Sequence, residues 1–266
     1  MRAKKSLGQH YLRSEKALAT IIKAGGISRG ETVLEIGPGE GVLTEKLLAC
    51  SLQVIAVEKD NALFDFLKTK FKREIENKKL ILINDDILNF DLSSLQATSY
   101  KLIANIPYNI TGAILEKFLS AKTQPALMVL LVQKEVAKRI VGSPLGGSTS
   151  KCKESILSIS VKAYGTPKYV ETVKAGSFVP APKVDSAVIS IENISKEFFK
   201  NFKESDFFKM LKAGFKAKRK KLSSNLSTVF AKKEVLKAFQ ELNLDENTRA
   251  EDVDLETWQK LAKNLI

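Results

Sequence analysis

The sequence predicts a doubly wound, Rossmann-like α/β fold followed by a small all-helical domain, and three observations predict it. Short apolar runs of strand-forming residues alternate with helical stretches as far as about residue 193. The first such run, Thr32-Val33-Leu34-Glu35-Ile36, breaks into glycines at every second position, Gly37, Gly39 and Gly41, before helical spacing begins at Val42. Beyond Asn193 there is no proline and only one glycine, Gly214, and helical spacing dominates. The expected division is therefore an α/β domain over residues 1–193 and a helical domain over 194–266.

The elements follow in order. Residues 1–12 are basic and then amphipathic, ending in Gln9-His10-Tyr11-Leu12. Ser14 is placed to cap a helix over 15–23, whose apolar side is Leu18, Ile21 and Ile22 and which Gly25-Gly26 ends. After the glycine loop, residues 53–58 read as a second strand with Glu58 at its end. Helical periodicity returns through Leu63, Phe66, Leu67 and Phe71. Residues 80–83 form a third buried strand closed by Asn84-Asp85-Asp86, and 101–104 a fourth that ends at Asn105-Ile106-Pro107-Tyr108. A fifth strand, 127–132, leads into a helix over 135–140. The stretch 142–150 is rich in Gly, Ser and Pro and reads as a mobile loop. A helix over 155–163 precedes two strand-like runs, 168–173 and 187–191, joined by a proline-containing loop. They predict an antiparallel hairpin at one edge of the sheet.

Composition narrows the function classes. The longest purely apolar run, 126–132, is far too short to cross a bilayer. Arg2, Lys4 and Lys5 lead into Ser6-Leu7-Gly8-Gln9 without the apolar core of a signal peptide. Cys50 and Cys152 are the only cysteines and lie far apart, so a disulfide framework is not expected and a reducing cytoplasm is the simplest address. His10 is the only histidine, so no zinc site of ordinary spacing can be assembled and no metal is expected. The net charge of +13 favours a polyanionic partner. Charge alone leaves nucleic acid, an anionic membrane and a merely lysine-rich surface all open.

In a doubly wound sheet, ligands bind outside the carboxyl ends of the strands. The G-x-G-x-G spacing after Glu35 differs from the G-x-G-x-x-G of dinucleotide folds and leans toward a cofactor without a pyrophosphate, S-adenosylmethionine being the obvious candidate. By itself the loop is also compatible with a plain glycine turn. Glu58 lies 21 residues beyond Gly37 at a strand tip, where a carboxylate accepts from two ribose hydroxyls at once. Asp86 ends the next strand and is suited to accept from an exocyclic adenine amine. Helix capping is the alternative for each acid alone. In Asn105-Ile106-Pro107-Tyr108 the proline withholds a backbone donor, leaving the Asn amide and nearby carbonyls as acceptors beside an aromatic ring. That arrangement suits a planar ring bearing an amine, although the bare tetrapeptide is equally a structural turn.

Taken together, these stretches carry a resemblance that runs almost end to end. Lys4-Lys5-Ser6-Leu7-Gly8-Gln9-His10-Tyr11-Leu12, Glu35-Ile36-Gly37-Pro38-Gly39-Glu40-Gly41, Asp86, Asn105-Ile106-Pro107-Tyr108-Asn109 and Gln133-Lys134-Glu135-Val136-Ala137 belong to it. Phe178-Val179-Pro180-Ala181-Pro182-Lys183-Val184-Asp185-Ser186-Ala187 completes the set. The chain resembles the ribosomal RNA adenine N6-dimethyltransferases, most closely their bacterial small-subunit branch. The resemblance implies S-adenosylmethionine held by His10, Leu12, Gly37, Gly39, Glu58, Asp86 and Asn105. It also implies a target adenine between Tyr108 and Phe178, its amine held by Asn105 and the Ile106 carbonyl. For Phe178 the alternative is an aromatic before Val-Pro-Ala-Pro that plugs the edge of the core. Methyl transfer would then occur twice on each of two adjacent adenines near the 3′ end of small-subunit (16S) rRNA. The family usually has Asn where His10 stands, a departure that bears on this contact.

The run Lys212-Ala213-Gly214-Phe215-Lys216-Ala217-Lys218-Arg219-Lys220-Lys221 carries six positive charges and no negative one. On a helix these cannot share one face, so Lys216, Lys218, Arg219, Lys220 and Lys221, with Lys4 and Lys5, are the expected RNA contacts. A solvated helix is the alternative. The expected protein is a monomer whose partner is rRNA in an immature small subunit, with no membrane. The rival functions are a large-subunit rRNA adenine methyltransferase of the macrolide-resistance type and a non-catalytic ribosome assembly factor.

Overall fold

The computed structural model describes residues 9–95, 99–142 and 153–266. Lys4, Lys5 and the expected loop beyond Gly142 lie outside them. The chain runs β1 (Tyr11–Leu12), α1 (Glu15–Gly25), β2 (Thr32–Ile36), α2 (Val42–Cys50), β3 (Gln53–Glu58), α3 (Asn61–Lys70), α4 (Lys72–Glu76), β4 (Leu80–Asn84) and β5 (Lys101–Asn105). It continues through α5 (Thr111–Leu119), β6 (Leu127–Gln133), α6 (Lys134–Val141), α7 (Ile156–Lys162), β7 (Thr166–Val173), β8 (Phe178–Val179) and β9 (Ser186–Glu192). The C-terminal helices are α8 (Glu204–Gly214), α9 (Leu222–Leu226), α10 (Lys232–Glu241) and α11 (Leu255–Leu265).

Seven strands form one sheet in the order β4-β3-β2-β5-β6-β9-β7. β4, β3, β2, β5 and β6 are parallel, and β9 runs antiparallel to both β6 and β7. The central strands are continuous apolar runs because helices cover both faces of a parallel sheet. Val33, Leu34, Leu102, Ile103, Leu130 and Leu131 are all fully buried. α1 begins where Ser14 Oγ accepts from the Ala17 amide and ends at Gly26, in the left-handed region at φ 47°. Its Leu18 and Ile21 are inaccessible to solvent, each worth about 1.5–3 kcal/mol of burial.

The sheet reverses its winding at β2. β3 and β4 lie on one side of it and β5 and β6 on the other, so a crevice opens outside the carboxyl ends of β2 and β5. A separate two-stranded pairing, β1 with β8, sets Tyr11 opposite Val179 and Leu12 opposite Phe178. Two-residue strands carry no periodicity, and sequence reading passes over both.

The chain forms two compact units. One holds residues up to Ala137 together with Thr166–Ile194, the other Lys138–Gly165 and Ser195–Ile266. This division is non-contiguous where the sequence predicts a single boundary at 193/194. The reason lies in the packing of Tyr164, whose ring meets Phe199 at 5.0 Å and Phe208 at 5.9 Å. Its hydroxyl donates to Glu204 Oε1 at 2.6 Å.

Within the second unit α8 stops at Gly214, so the helix expected through Lys221 is not formed. Trp258 leaves no room for a longer side chain there: a Cβ on Gly214 would lie 2.4 Å from Trp258 Cη2. Residues 215–221 instead make a turn, with Lys216 N–H donating to Ala213 O and Lys220 N–H to Ala217 O.

Candidate active site

The glycine loop turns because its glycines adopt left-handed conformations that residues with a Cβ rarely take. Gly39 has φ +61°, and a Cβ there would sit 3.2 Å from the Tyr11 ring. Gly41 has φ +78°, and its Cβ would fall 2.5 Å from Phe71 Cε2. The loop is pinned by the Gly37 amide on Val57 O at 2.9 Å and by the Gly39 amide on Glu58 Oε2 at 3.1 Å.

Glu58 therefore binds the loop as well as ending β3. Its other oxygen accepts from the Asp60 amide at 2.9 Å, and burial pushes its carboxyl up against the lowering effect of these bonds. Each carboxylate oxygen has a second lone pair, so Glu58 can still accept from hydroxyls. Asp86 takes the Leu88 amide on Oδ1 at 3.0 Å and the Lys59 ammonium on Oδ2 at 2.7 Å. The Lys59 bond is the main reason its carboxyl lies below the usual range. Glu35, at the end of β2, is 2% exposed and its Oε2 has no hydrogen-bond partner among the described residues. Burial pushes its carboxyl up to about 8, and the charge of Glu58 adds to the rise. At neutral pH Glu35 is mostly protonated.

Across the crevice, Asn105 ends β5 and donates from Nδ2 to the His10 carbonyl at 3.1 Å. This fixes the amide and leaves Oδ1 as its acceptor. Tyr108 follows Pro107 in a single 3-10 turn, and its hydroxyl shares a hydrogen bond of 2.6 Å with Ser186 Oγ. Burial raises the Tyr108 hydroxyl above its ordinary range. The His10 ring lies nearly parallel to Tyr108, 5.9 Å between centroids and 19° between planes. His10 Nδ1 meets Pro180 O at 2.7 Å.

One cleft is lined mainly by residues 9–12, 35–40, 57–59, 85–88 and 105–110, at the carboxyl edge of the parallel strands or in and just before β1, with Leu18, Val42, Leu43 and Leu63 from the flanking helices. It brings together His10, Leu12, Gly37, Gly39, Glu58, Asp86, Asn105, Ile106 and Tyr108. Phe178 does not line it. Its side chain is 2% exposed and packs in the core with Leu12, Leu18 and Val188. The cleft thus has Tyr108, with Tyr11 and the His10 ring, but not the expected Phe178 ring, because pairing β8 with β1 turns Phe178 inward. Lys216, Lys218, Arg219, Lys220 and Lys221 lie in the second unit and are all exposed. Sequence reasoning missed Lys59 and Ser186. The first follows Glu58 directly and the second ends the Pro-Lys-Val-Asp-Ser stretch, but neither position signals a contact locally.

Among the described residues, no group of three or more His, Cys, Asp or Glu side chains is placed to hold a metal ion. No helix among them is long and apolar enough to cross a membrane.

A mixed sheet of this order, with a glycine loop and an Asn-Ile-Pro-Tyr turn flanking its switch point, defines a Rossmann-like methyltransferase. The chain belongs to the ribosomal RNA adenine dimethylase family, whose model matches residues 1–266. It is similar to a ribosomal RNA small subunit methyltransferase A of Dehalococcoides mccartyi, 41% identical over 265 residues that cover 98% of this chain and 88% of the relative. The protein of the same name from a Nostoc species is 37% identical over 277 residues, covering 100% and 98%. Among solved structures, a dimethyladenosine transferase from Plasmodium falciparum matches with a TM-score of 0.79 at 28% identity, covering 95% of this chain and 96% of that one. The 23S rRNA methyltransferase ErmE matches with a TM-score of 0.74 at 25% identity, covering 96% and 99%.

Proposed function

We propose that this protein transfers methyl groups from S-adenosylmethionine to N6 of two adjacent adenosines near the 3′ end of small-subunit (16S) rRNA, twice on each. The observation that carries this reading is Asn105, its amide oriented by the His10 carbonyl, beside Tyr108 in a cleft shared with the glycine loop. The setting is ribosome biogenesis in the cytoplasm, with the protein acting as a monomer on an immature subunit.

The cleft suits the cofactor on its own terms. Glu58 is a buried carboxylate with lone pairs to spare for two ribose hydroxyls, and Asp86 is held ionised to accept from an adenine amine. Gly37 and Gly39 allow close backbone approach, while His10, Leu12 and Asn105 close the other side. When bound, S-adenosylmethionine supplies an electrophilic methyl group. The remaining work falls to the chain. A target adenine stacks on Tyr108 while Asn105 Oδ1 and the Ile106 carbonyl accept its two amine hydrogens. Two acceptors draw the nitrogen toward a pyramidal shape and aim its lone pair, so positioning supplies most of the rate. No general base is needed before attack, because the methylated amine is strongly acidic.

The second unit, with Lys216, Lys218, Arg219, Lys220 and Lys221 on its surface, is the RNA-contacting part in this reading, joined by Lys4 and Lys5. Methyl incorporation from labelled cofactor into unmethylated small subunits tests the whole. Incorporation only into large-subunit RNA would move the protein to the macrolide-resistance type. Cofactor binding without incorporation into either would make it an assembly factor.

A further inference from the structure

We propose that Asn225 is a positioning residue for nucleic-acid contact, holding the basic turn between α8 and α9 in the shape that meets a phosphate backbone. The inference rests on reading that turn as an RNA-contacting surface. Asn225 is 3% exposed, yet its Nδ2 donates twice, to Gly214 O at 2.6 Å and to Ala217 O at 3.1 Å. The Gly214 carbonyl belongs to the group that a helix end leaves without intrahelical partners. The Ala217 carbonyl belongs to the turn itself. The backbone of Asn225 ties down the far end, its N–H donating to Lys221 O at 3.1 Å, and Leu222 N–H donates to Thr248 O at 2.8 Å. The Asn225 side chain therefore holds the start and the middle of the segment that carries Lys216, Lys218, Arg219, Lys220 and Lys221, and the first backbone bond of α9 closes its end.

The arrangement costs free energy that an apolar residue would not. Burying an amide is unfavourable unless it is hydrogen-bonded, and here both bonds go to the turn and the helix end that precedes it. What the bonds supply is a fixed backbone beneath closely spaced like charges, which would otherwise repel and spread. A preordered set of cations meets phosphates without the ordering cost of a loose loop.

The test compares Asn225→Ala, which removes both donors, with Asn225→Ser, which keeps one. A third variant changes Lys218, Arg219, Lys220 and Lys221 to Gln. Binding to purified unmethylated small subunits is measured over a salt series, well below each melting temperature, alongside KM and kcat for methylation. Asn225→Ala is expected to weaken binding roughly tenfold, with Asn225→Ser between it and the parent. KM for the subunit should rise while kcat stays near its parent value. The salt slope should be kept, because all the cations remain. An unchanged KM in both Asn225 variants, or a slope lost as fully as in the four-Gln variant, overturns the inference. Parent-like binding by the four-Gln variant would instead overturn the RNA-contact reading beneath it, and this inference with it.

Discussion

At the scale of single residues, the carboxyl group of Glu35 makes a measurable demand on stability. Its folded-state pKa of about 8 lies above the ordinary 4.5, so between those values the folded chain holds a proton that the unfolded chain has released. Stability therefore falls as pH rises from about 4.5 toward 8 and levels off above it, by an amount on the order of a few kcal/mol. Glu35→Gln keeps the shape without the proton. Its stability relative to the parent should grow through this window and stop growing above pH 8. Thermal melts of the two proteins from pH 4.5 to 9 check it, and parallel curves would refute it. Asn105 is a different case, since the partner of its Nδ2 is a carbonyl and the residue lines the cleft. Asn105→Ala should cost only about 0.5–1.5 kcal/mol of stability. It should lower methylation at least about a hundredfold, as expected for losing a group that acts at the reacting atom. Turnover within tenfold of the parent would mean that Asn105 is not the acceptor. These two residues also mark how far the site was legible. The acids and the Asn-Ile-Pro-Tyr turn stand at strand ends, where a doubly wound sheet places its ligands, although position alone does not separate them from helix caps and a plain turn. Phe178 was not legible in that way, because its burial depends on a pairing with Leu12 from a distant segment.

At the scale of elements, the glycine loop joins local and tertiary constraint. Gly41 caps α2 in the left-handed region and has Phe71 and Leu67 against it, the latter at 2.9 Å from the position of a Cβ. A methyl group there brings about 1–2 kcal/mol of backbone strain and about 1–3 kcal/mol of overpacking. Gly41→Ala should therefore lower unfolding free energy by roughly 2–5 kcal/mol, as read from the urea midpoint at constant slope. A loss under about 1 kcal/mol would show that α3 shifts to make room. Four of the five parallel strands were readable because a strand buried on both faces must be an apolar run between turn residues. β4 reads as such a run as well, yet it is an edge strand with Ile81 40% exposed, not the buried strand expected over 80–83. The antiparallel pair β7 and β9 was readable from two strand-like runs close in sequence and lies at the sheet edge where the sequence puts it, with β9 buried and β7 alternating exposed and half-buried residues over most of its length. The end of α8 was not. Apart from Gly214, Lys212 to Lys221 is made largely of good helix formers, and the side chain that takes up the Gly214 carbonyl where the helix ends, Asn225, lies eleven residues on.

At the scale of the molecule, charge is the property that ties the sequence to a polyanionic partner. The packing of Tyr164 on Phe199 and Phe208 sets residues 138–165 in the second unit, which no local signal foretells. The basic turn belongs to that unit, whereas every residue lining the cleft belongs to the first. Replacing Lys218, Arg219, Lys220 and Lys221 with Gln lowers the formal net charge from +13 by four, to +9. Each cation that neutralises a phosphate contributes about 0.7–0.9 to the slope of log affinity against log salt. If all four do so, the slope for small-subunit binding should fall by about 3, and affinity at low salt should suffer more than affinity at high salt. Cofactor affinity should not change, since none of the four lines the cleft. Titrations of subunit and of cofactor on the same two proteins separate these effects. A slope unchanged within about 0.5 would show that the turn faces solvent in the complex. A parallel loss of cofactor affinity would mean that the substitutions act through the fold and not through phosphate contact.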